Sequence, residues 1–281
     1  PSPISVATIG SMRTTWLVAA VAACAVLCVA ETAAAPRPRI ELSYFGSRGR
    51  AEPIRFLLEV LEVPYTDRRF QSREEWLSVK ESGAFAFNQV PGLRYCPDRN
   101  TEEGCLDVVQ SHSIMRFLSR KFNSYLDEED RVWVDMVADG AEDFRSRLSK
   151  LVYSPDGPDK IKDHLETTLP QWLGFFERLK GKIHDGKKNF FVADTLTHAD
   201  LYLFLVIEAH IRLGGTGILD DFPLLTEFYK HVAAHDRVLN WRISRRRPEF
   251  SNGDSASLDC PKNPPPFNDF GEPWPMPAGS E

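Results

Sequence analysis

The spacing of apolar residues divides the chain into an early part of short strands and helices and a helical remainder. Ile40 to Phe45 is mostly β-formers and reads as a short strand, and Gly46 to Gly49 reads as a turn. Ala51 to Val63 carries Ile54, Leu57, Leu58 and Leu61 at i, i+3, i+4 and i+7, the stripe of an amphipathic helix. Pro53 fits only in its first turn. Tyr65 to Phe70 predicts a second strand, and a β-α-β order of this kind requires a right-handed crossover and parallel pairing. Residues 71–86 read as a loop with a helical turn around Glu74 to Val79. Gln89 to Leu93 and Leu106 to Val109 predict an antiparallel hairpin. Pro91 cannot donate to a ladder, so it marks an edge or a special turn. Ser111 is the expected N-cap of the next helix, whose buried stripe is Ile114, Met115, Leu118 and Phe122.

From Glu128 the pattern is helical throughout. Glu128 to Tyr153 predicts one long helix with Val132, Met136, Gly140, Phe144, Leu148 and Leu151 on one face, broken by Pro155 and Gly157-Pro158. Asp159 to Ile183 predicts a second, bent at Pro170. Thr197 and Asp200 have the spacing of a capping box and open Leu201 to Leu213. The run LYLFLVI inside that helix is apolar on every side, the mark of a core helix. Helices over Pro223 to His235 and Val238 to Arg246 complete the set. Residues 248–281 are rich in proline and aperiodic, and read as a mostly disordered tail. The fold class that follows is an α+β N-terminal domain over 38–122, a linker over 123–128, and an all-α domain over 129–247.

Composition and charge add exclusions. The chain is 42% hydrophobic and 26% charged, an ordinary globular balance, so both domains have material for a core. A net charge of −6 gives no electrostatic ground for nucleic acid. The basic triplet Arg245-Arg246-Arg247 reads as a solvated helix end favoured by the macrodipole. Residues 1–35 read as a targeting segment. Arg13 supplies a small positive region, and Trp16 to Ala30 is uncharged but shorter than the ~20 residues a membrane-spanning helix needs. Small residues offer cleavage after Ala30 or Ala35, and Met12 is a more natural start than Pro1. No other stretch is apolar enough to cross a membrane. The expectation is a protein of the secretory pathway, or a cytoplasmic one where the segment is not a signal.

The candidate chemistry lies in the first turn. Tyr44 stands near the end of a strand, with Arg48 and Arg50 in the turn that follows. A phenol beside guanidinium groups suits an anionic ligand, although a strand tyrosine with two solvated arginines is the plainer reading of the local pattern. The stretch Tyr44-Phe45-Gly46-Ser47-Arg48-Gly49-Arg50 resembles the Y-F-x-x-R-G-R amino terminus of the cytosolic-type glutathione transferases, especially their sigma, pi and alpha classes. The resemblance runs in order from about Ile40 to about Pro248 and leaves the first 35 residues and the tail uncovered. The stretch VDMVADGAEDFR is pi-like, whereas QSHSI and NWRISRRRP are more sigma-like. It implies a thioredoxin-like first domain, an all-α second domain, and an enzyme that joins the sulfur of glutathione to small hydrophobic electrophiles.

Glutathione carries two carboxylates, an ammonium and a thiol. A thiol with a pKa near ~8.5 is only a few per cent thiolate at pH 7, and lowering it to about 6.5 requires roughly 2.7 kcal/mol. The resemblance casts Tyr44 as the hydroxyl donor to that sulfur and Arg50 as positive field beside it. It places Gln110 and Ser111 on the γ-glutamyl carboxylate at a helix N-terminus, a ready anion site. Trp76 and Lys80 fall on the glycyl carboxylate. Gln89 and Val90 flank Pro91, whose peptide bond is cis in the family, so that the Val90 backbone meets the cysteinyl unit. Asp143 matches the acidic residue that reaches the ligand ammonium from the partner subunit of a homodimer. Phe87 matches the aromatic that enters that partner. Phe45 and Tyr153 fall at the electrophile. Glutathione enters as a co-substrate, and no cofactor or metal is implied. His231 and His235 lack the glutamate and third ligand of a zinc motif. The resemblance leaves open a glutathione-dependent isomerase of prostaglandin type, an organic hydroperoxide peroxidase, and a non-catalytic carrier or crystallin-like protein.

One feature lies outside the resemblance. The segment CPDRNTEEGC interrupts the hairpin, and pairing Leu93 with Val108 sets Cys96 opposite Cys105. Facing positions on antiparallel strands lie ~4.5–5.5 Å apart at Cα, within disulfide range. Such a bond persists in an oxidising compartment, in accord with the targeting segment. Cys24 and Cys28 leave with that segment, and Cys260 in the tail has no assigned partner.

Overall fold

Strand β1 (Arg39–Phe45) is central in a four-stranded sheet of order β2-β1-β3-β4. The computed structural model describes residues 37–122, 126–154 and 156–248. The expected targeting segment, half of the expected linker and all of the expected tail after Pro248 lie outside the described residues. Strand β2 (Thr66–Phe70) runs parallel to β1, with Tyr44 opposite Arg69. Strand β3 (Gly92–Cys96) pairs antiparallel with β1 and with β4 (Leu106–Val109). Leu93 pairs with Val108, the register expected from sequence. That register brings Cys96 and Cys105 to a Cα separation of 4.1 Å, and they form a disulfide. The Val90–Pro91 peptide is cis.

Helix α1 (Glu52–Val60) begins after a single 3-10 turn at Gly49–Ala51. Ile54, Leu57 and Leu58 of the expected stripe are buried, Leu61 caps the helix half-buried, and most of the remaining helix surface is buried too. Helix α3 (Ser111–Phe122) packs on one side, and helices α7 (His198–Gly214) and α9 (Asp236–Arg242) of the second domain pack on another. Phe56 is fully buried there, its ring centroid 6.4 Å from those of Phe204 and Trp241. Burial of that ring contributes roughly 1.5–3 kcal/mol to joining the two domains. The helical turn expected after β2 is a nine-residue helix, α2 (Arg73–Glu81), capped by Ser72.

Three expectations need correction. Ser111 is the first helical residue of α3 rather than its cap. Gln110 precedes it with φ +73°, and the Gln110 carbonyl accepts the first helical bond, from Ile114. Helix α4 (Glu128–Val152) buries Val134, Val137, Ala138, Ala141, Phe144, Leu148 and Val152, while Val132 and Met136 are exposed. A strict i+4 series drifts about 40° per step, so Val132 and Leu148 lie about 160° apart on the cylinder and cannot share a face. The basic triplet does not end a solvated helix. Helix α9 stops at Arg242, and Arg247 is buried on Glu52 and Glu208.

The helix bent at Pro170 is helix α5 (Gly157–Asp163), a π-helical turn at His164–Thr168 and helix α6 (Leu169–Lys182). Proline lacks the N–H that would bond four residues back, and the wider turn absorbs the misfit. The capping box at Thr197 and Asp200 forms, and Asp200 also accepts from the Phe191 N–H at 2.8 Å. Helix α7 packs against α4 at the centre of the second domain, and helix α8 (Pro223–Ala234) completes that domain.

Candidate active site

The turn between β1 and α1 holds the first catalytic candidate. Tyr44 is 9% exposed, and its hydroxyl oxygen accepts a hydrogen bond from the Arg50 backbone N–H at 3.1 Å. Gly49 lies against the ring at φ +42°, and a Cβ there would stand 2.5 Å from the Tyr44 oxygen. Glycine is required by both the approach and the backbone. Arg55 fixes the turn from behind. Its buried guanidinium donates to the carbonyls of Ser47 at 2.9 Å and Phe45 at 3.3 Å, and to Asp67 on β2 at 3.1 Å. Burial pushes the Tyr44 phenol above its ordinary pKa, against the opposing pull of the Arg50 N–H. The hydroxyl is therefore protonated at neutral pH, a donor and not a base.

Beside this turn opens a polar cavity of about 610 Å³. Phe45 and Arg50 reach it from the end of β1, Trp76 from α2, Gln89, Val90 and Pro91 from the cis turn, and Gln110 and Ser111 from the start of α3. Gln110 Nε2 donates to Gln89 Oε1 at 3.4 Å. The unpaired N–H groups and dipole of α3 favour an anion there. Three lining residues, Asn88, His112 and Glu142, escaped the sequence reading. Glu142 accepts from Arg50 Nη1 at 2.9 Å, from Arg145 Nε at 2.8 Å and from the Tyr202 hydroxyl. Burial alone would raise this carboxyl, but contact with His112 and the Arg145 guanidinium outweighs it and holds the group well below the usual carboxylate range. A position in an acidic run has no local signal telling it to face inward.

The other expected residues lie elsewhere. Lys80 is exposed, one turn beyond Trp76 on α2, and does not line the cavity. Asp143 is exposed, on a different face of α4 from the inward Glu142. Phe45, assigned to the electrophile, is edge-on to Trp76 at 5.6 Å in the polar cavity. Tyr153 is 55% exposed, at the C-terminal end of α4, and its charge when ionised opposes ionisation of Tyr44. Among the described residues one group brings three metal-ligand atoms together: Cys96, Glu102 and Cys105. Its two sulfurs are bonded to each other.

A second cavity lies between the domains, lined by Gly49 and Pro53 on one side and by α4 and α7 on the other. Leu148, Val152, Leu205, Val206 and Leu213 give it an apolar wall, and Arg48, Glu52, Glu208, Arg212 and Arg247 a charged one. Tyr44 itself lines neither cavity, but its hydroxyl lies against Gly49, which lines one, and the Arg50 backbone, which belongs to a residue lining the other.

A thioredoxin-like sheet joined to a helical domain, with a buried tyrosine between a polar and an interdomain cavity, defines a class of protein that comparison with known proteins names. Residues 142–245 match the family described as glutathione S-transferase, C-terminal domain. The chain is 32% identical over 213 residues to glutathione S-transferase P 1 of Xenopus laevis, covering 75% of this chain and 94% of that protein. It is 35% identical over 205 residues to a glutathione S-transferase of Plasmodium yoelii yoelii, covering 71% and 91%. The solved structure of the Onchocerca volvulus pi-class glutathione S-transferase superposes with a TM-score of 0.66 at 27% identity, covering 78% of this chain and 99% of that one. The chain belongs to the glutathione S-transferase family and is a transferase of that kind.

Proposed function

We propose that the polar cavity holds glutathione and that Tyr44 stabilises its thiolate for attack on a small hydrophobic electrophile in the interdomain cavity. The observation that carries this reading is the Tyr44 hydroxyl. Its lone pair accepts from Arg50, and among the described residues it donates to nothing, so its proton is free for a sulfur brought to it from the polar cavity. Gln110 and Ser111 take the γ-glutamyl carboxylate at the start of α3, Trp76 takes the glycyl carboxylate, and Val90 takes the cysteinyl backbone. Lys80, exposed and outside the cavity, would have to swing in to join Trp76. Arg50 supplies field, moderated by its pair with Glu142. The thiol proton leaves to solvent, the sulfur electron pair forms the new bond, and the electrophile releases its leaving group or takes a proton.

The assembly proposed is a two-fold homodimer. Phe87 is 75% exposed, and Val132 and Met136 are exposed on α4, apolar surface that a second copy would cover. Asp143, facing away from its own cavity, would then serve the partner's ligand. The secretory pathway is the proposed compartment, supported by the Cys96–Cys105 bond. Detoxification is the proposed role. Glutathione enters as a co-substrate with no further cofactor.

Capture on immobilised glutathione, followed by turnover with electrophiles, hydroperoxides and a prostaglandin endoperoxide, tests the reading. Retention and conjugation are expected. A folded protein that neither binds glutathione nor turns over any of the three classes removes it. A non-reduced digest of protein from its native source tests the compartment, which fails if Cys96 and Cys105 are free.

A further inference from the structure

Among the described residues the charged wall of the interdomain cavity holds more guanidiniums than carboxylates. Arg48, Arg212 and Arg247 face two carboxylates, Glu52 and Glu208, and all five side chains are nearly buried. Glu208 already accepts from Arg242 Nε at 3.2 Å and from Arg247 Nη2 at 2.9 Å, and Glu52 from Arg247 Nε at 2.7 Å. Two guanidiniums remain outside these bonds. Arg212 stands 3.7 Å from Glu208, beyond hydrogen-bond reach. Arg48 is 7% exposed, gives its Nε to the Pro248 carbonyl at 2.8 Å, and has no carboxylate in ion-pair range among the described residues. Both line the cavity. Burial and the Arg247 and Arg212 charges push Arg48 down only to about 10, so it stays a cation at neutral pH. An enclosed cation with no carboxylate in range, beside a second that shares its one carboxylate with two other guanidiniums, is costly, and a cavity that holds the two beside an apolar wall is complementary to an amphipathic anion.

We propose that the electrophile is itself an amphipathic carboxylate, its apolar body along Leu148, Val152, Leu205 and Leu213 and its anionic head on Arg48 and Arg212. This rests on the transferase reading and narrows it to a substrate class: acyl-chain electrophiles that keep a free carboxylate. For an unsaturated aldehyde of that class, the thiolate pair forms the C–S bond at the β-carbon and the alkene pair moves to the carbonyl oxygen. The resulting enolate takes one proton at the α-carbon, which balances the proton lost by the thiol. Nothing leaves, and no oxidant is required. The head group is bound, not reacted, so its part is specificity. The chain has a carboxylate of its own next after Pro248, at Glu249, and the test separates the two.

The experiment compares an ω-carboxy-2-alkenal with its methyl ester on the full chain. The acid is expected to exceed the ester in kcat/KM by about tenfold, what one charge-assisted hydrogen bond is worth, with the preference falling at high salt. Arg48→Gln and Arg212→Gln should each shrink that ratio, which is internal to each variant and does not depend on its yield. Decanoate and decanol, displacing a fluorescent probe without glutathione, test the head-group site apart from catalysis, and decanoate should bind more tightly. Equal turnover of acid and ester, with equal binding of decanoate and decanol, overturns the proposal and leaves the transferase standing. Loss of all conjugation with decanoate still preferred overturns the transferase reading and leaves the anion site. A preference that appears only in Glu249→Gln assigns the two guanidiniums to the chain's own carboxylate and also overturns the proposal.

Discussion

The Tyr44 hydroxyl accepts from the Arg50 backbone N–H at 3.1 Å, so a residue six positions ahead in the chain orients the phenol. A hydroxyl has one proton and two lone pairs. With one lone pair fixed by Arg50, the proton is aimed away from the turn. Arg55 and Gly49 hold that geometry, one by tying down the turn carbonyls and the other by leaving room for the ring.

Tyr44→Phe removes the donor and keeps the ring. Turnover should fall roughly 10²-fold with glutathione affinity nearly unchanged, as loss of about 2.7 kcal/mol of thiolate stabilisation would give. The pH midpoint for bound thiolate, read by ultraviolet absorbance, should rise. An unchanged rate and midpoint would assign the sulfur to another group.

Phe87→Ser tests the assembly. Phe87 is 75% exposed and carries a left-handed backbone at φ +62°, so its placement costs energy that a partner would offset. Sedimentation of the parent should give a dimer, and the variant should dissociate at concentrations where the parent does not. A parent that sediments as a monomer while conjugating glutathione rejects the dimer.

Glu208→Gln should be among the most damaging single changes. The carboxylate is buried and meets Arg242 and Arg247 in hydrogen bonds, with Arg212 nearby. Removing one partner of a buried pair typically costs about 3–5 kcal/mol, because the remaining charge is stranded. Denaturant unfolding should show the loss, and a change below about 1 kcal/mol would mean that water reaches the cluster.

His164 and His210 predict an acid limit. Their Nε2 atoms lie 3.1 Å apart, and His210 Nδ1 is 2.7 Å from the Val206 carbonyl, so Nδ1 carries the His210 proton and His210 Nε2 accepts from His164. Burial lowers both imidazoles, His210 to about 3. The unfolded chain binds protons from about pH 6.5 downward and the folded one does not, so this contribution is complete above pH 6.5 and lost as pH falls toward 3. Unfolding free energy should drop by up to ~1.4 kcal/mol per pH unit in that window on account of His210, with His164 adding in the same direction. His210→Gln should flatten the slope by about one proton, and an unaltered slope would refute the assignment.

What the sequence by itself determined is what short-range order can encode. The strand, turn and helix from Arg39 to Val60 follow from β-formers, glycines and a 3.6-residue stripe. The capping box at Thr197 and Asp200 follows from spacing three apart. The Cys96–Cys105 bond follows from hairpin register, since one pairing of Leu93 with Val108 fixes every other. The residues assigned to glutathione at Gln89, Val90, Gln110 and Ser111 came from a family pattern, and the fold brings them to one cavity. Tertiary structure alone decided the rest. Arg247 reaches Glu52 across 195 positions, and nothing local distinguishes it from the exposed Arg245 beside it. Glu142 faces in while Asp143 faces out, because the rotation of α4 in its packing sets which acid meets Arg50 and Tyr202; the Arg145 contact is a same-helix pair three residues on. On α4 helix geometry alone separates Val132 from Leu148, but apolar residues lie on more than one side, and the packing of its neighbours chooses the buried one. A charge or an apolar residue records its own chemistry in the sequence, but its partner is chosen by the fold.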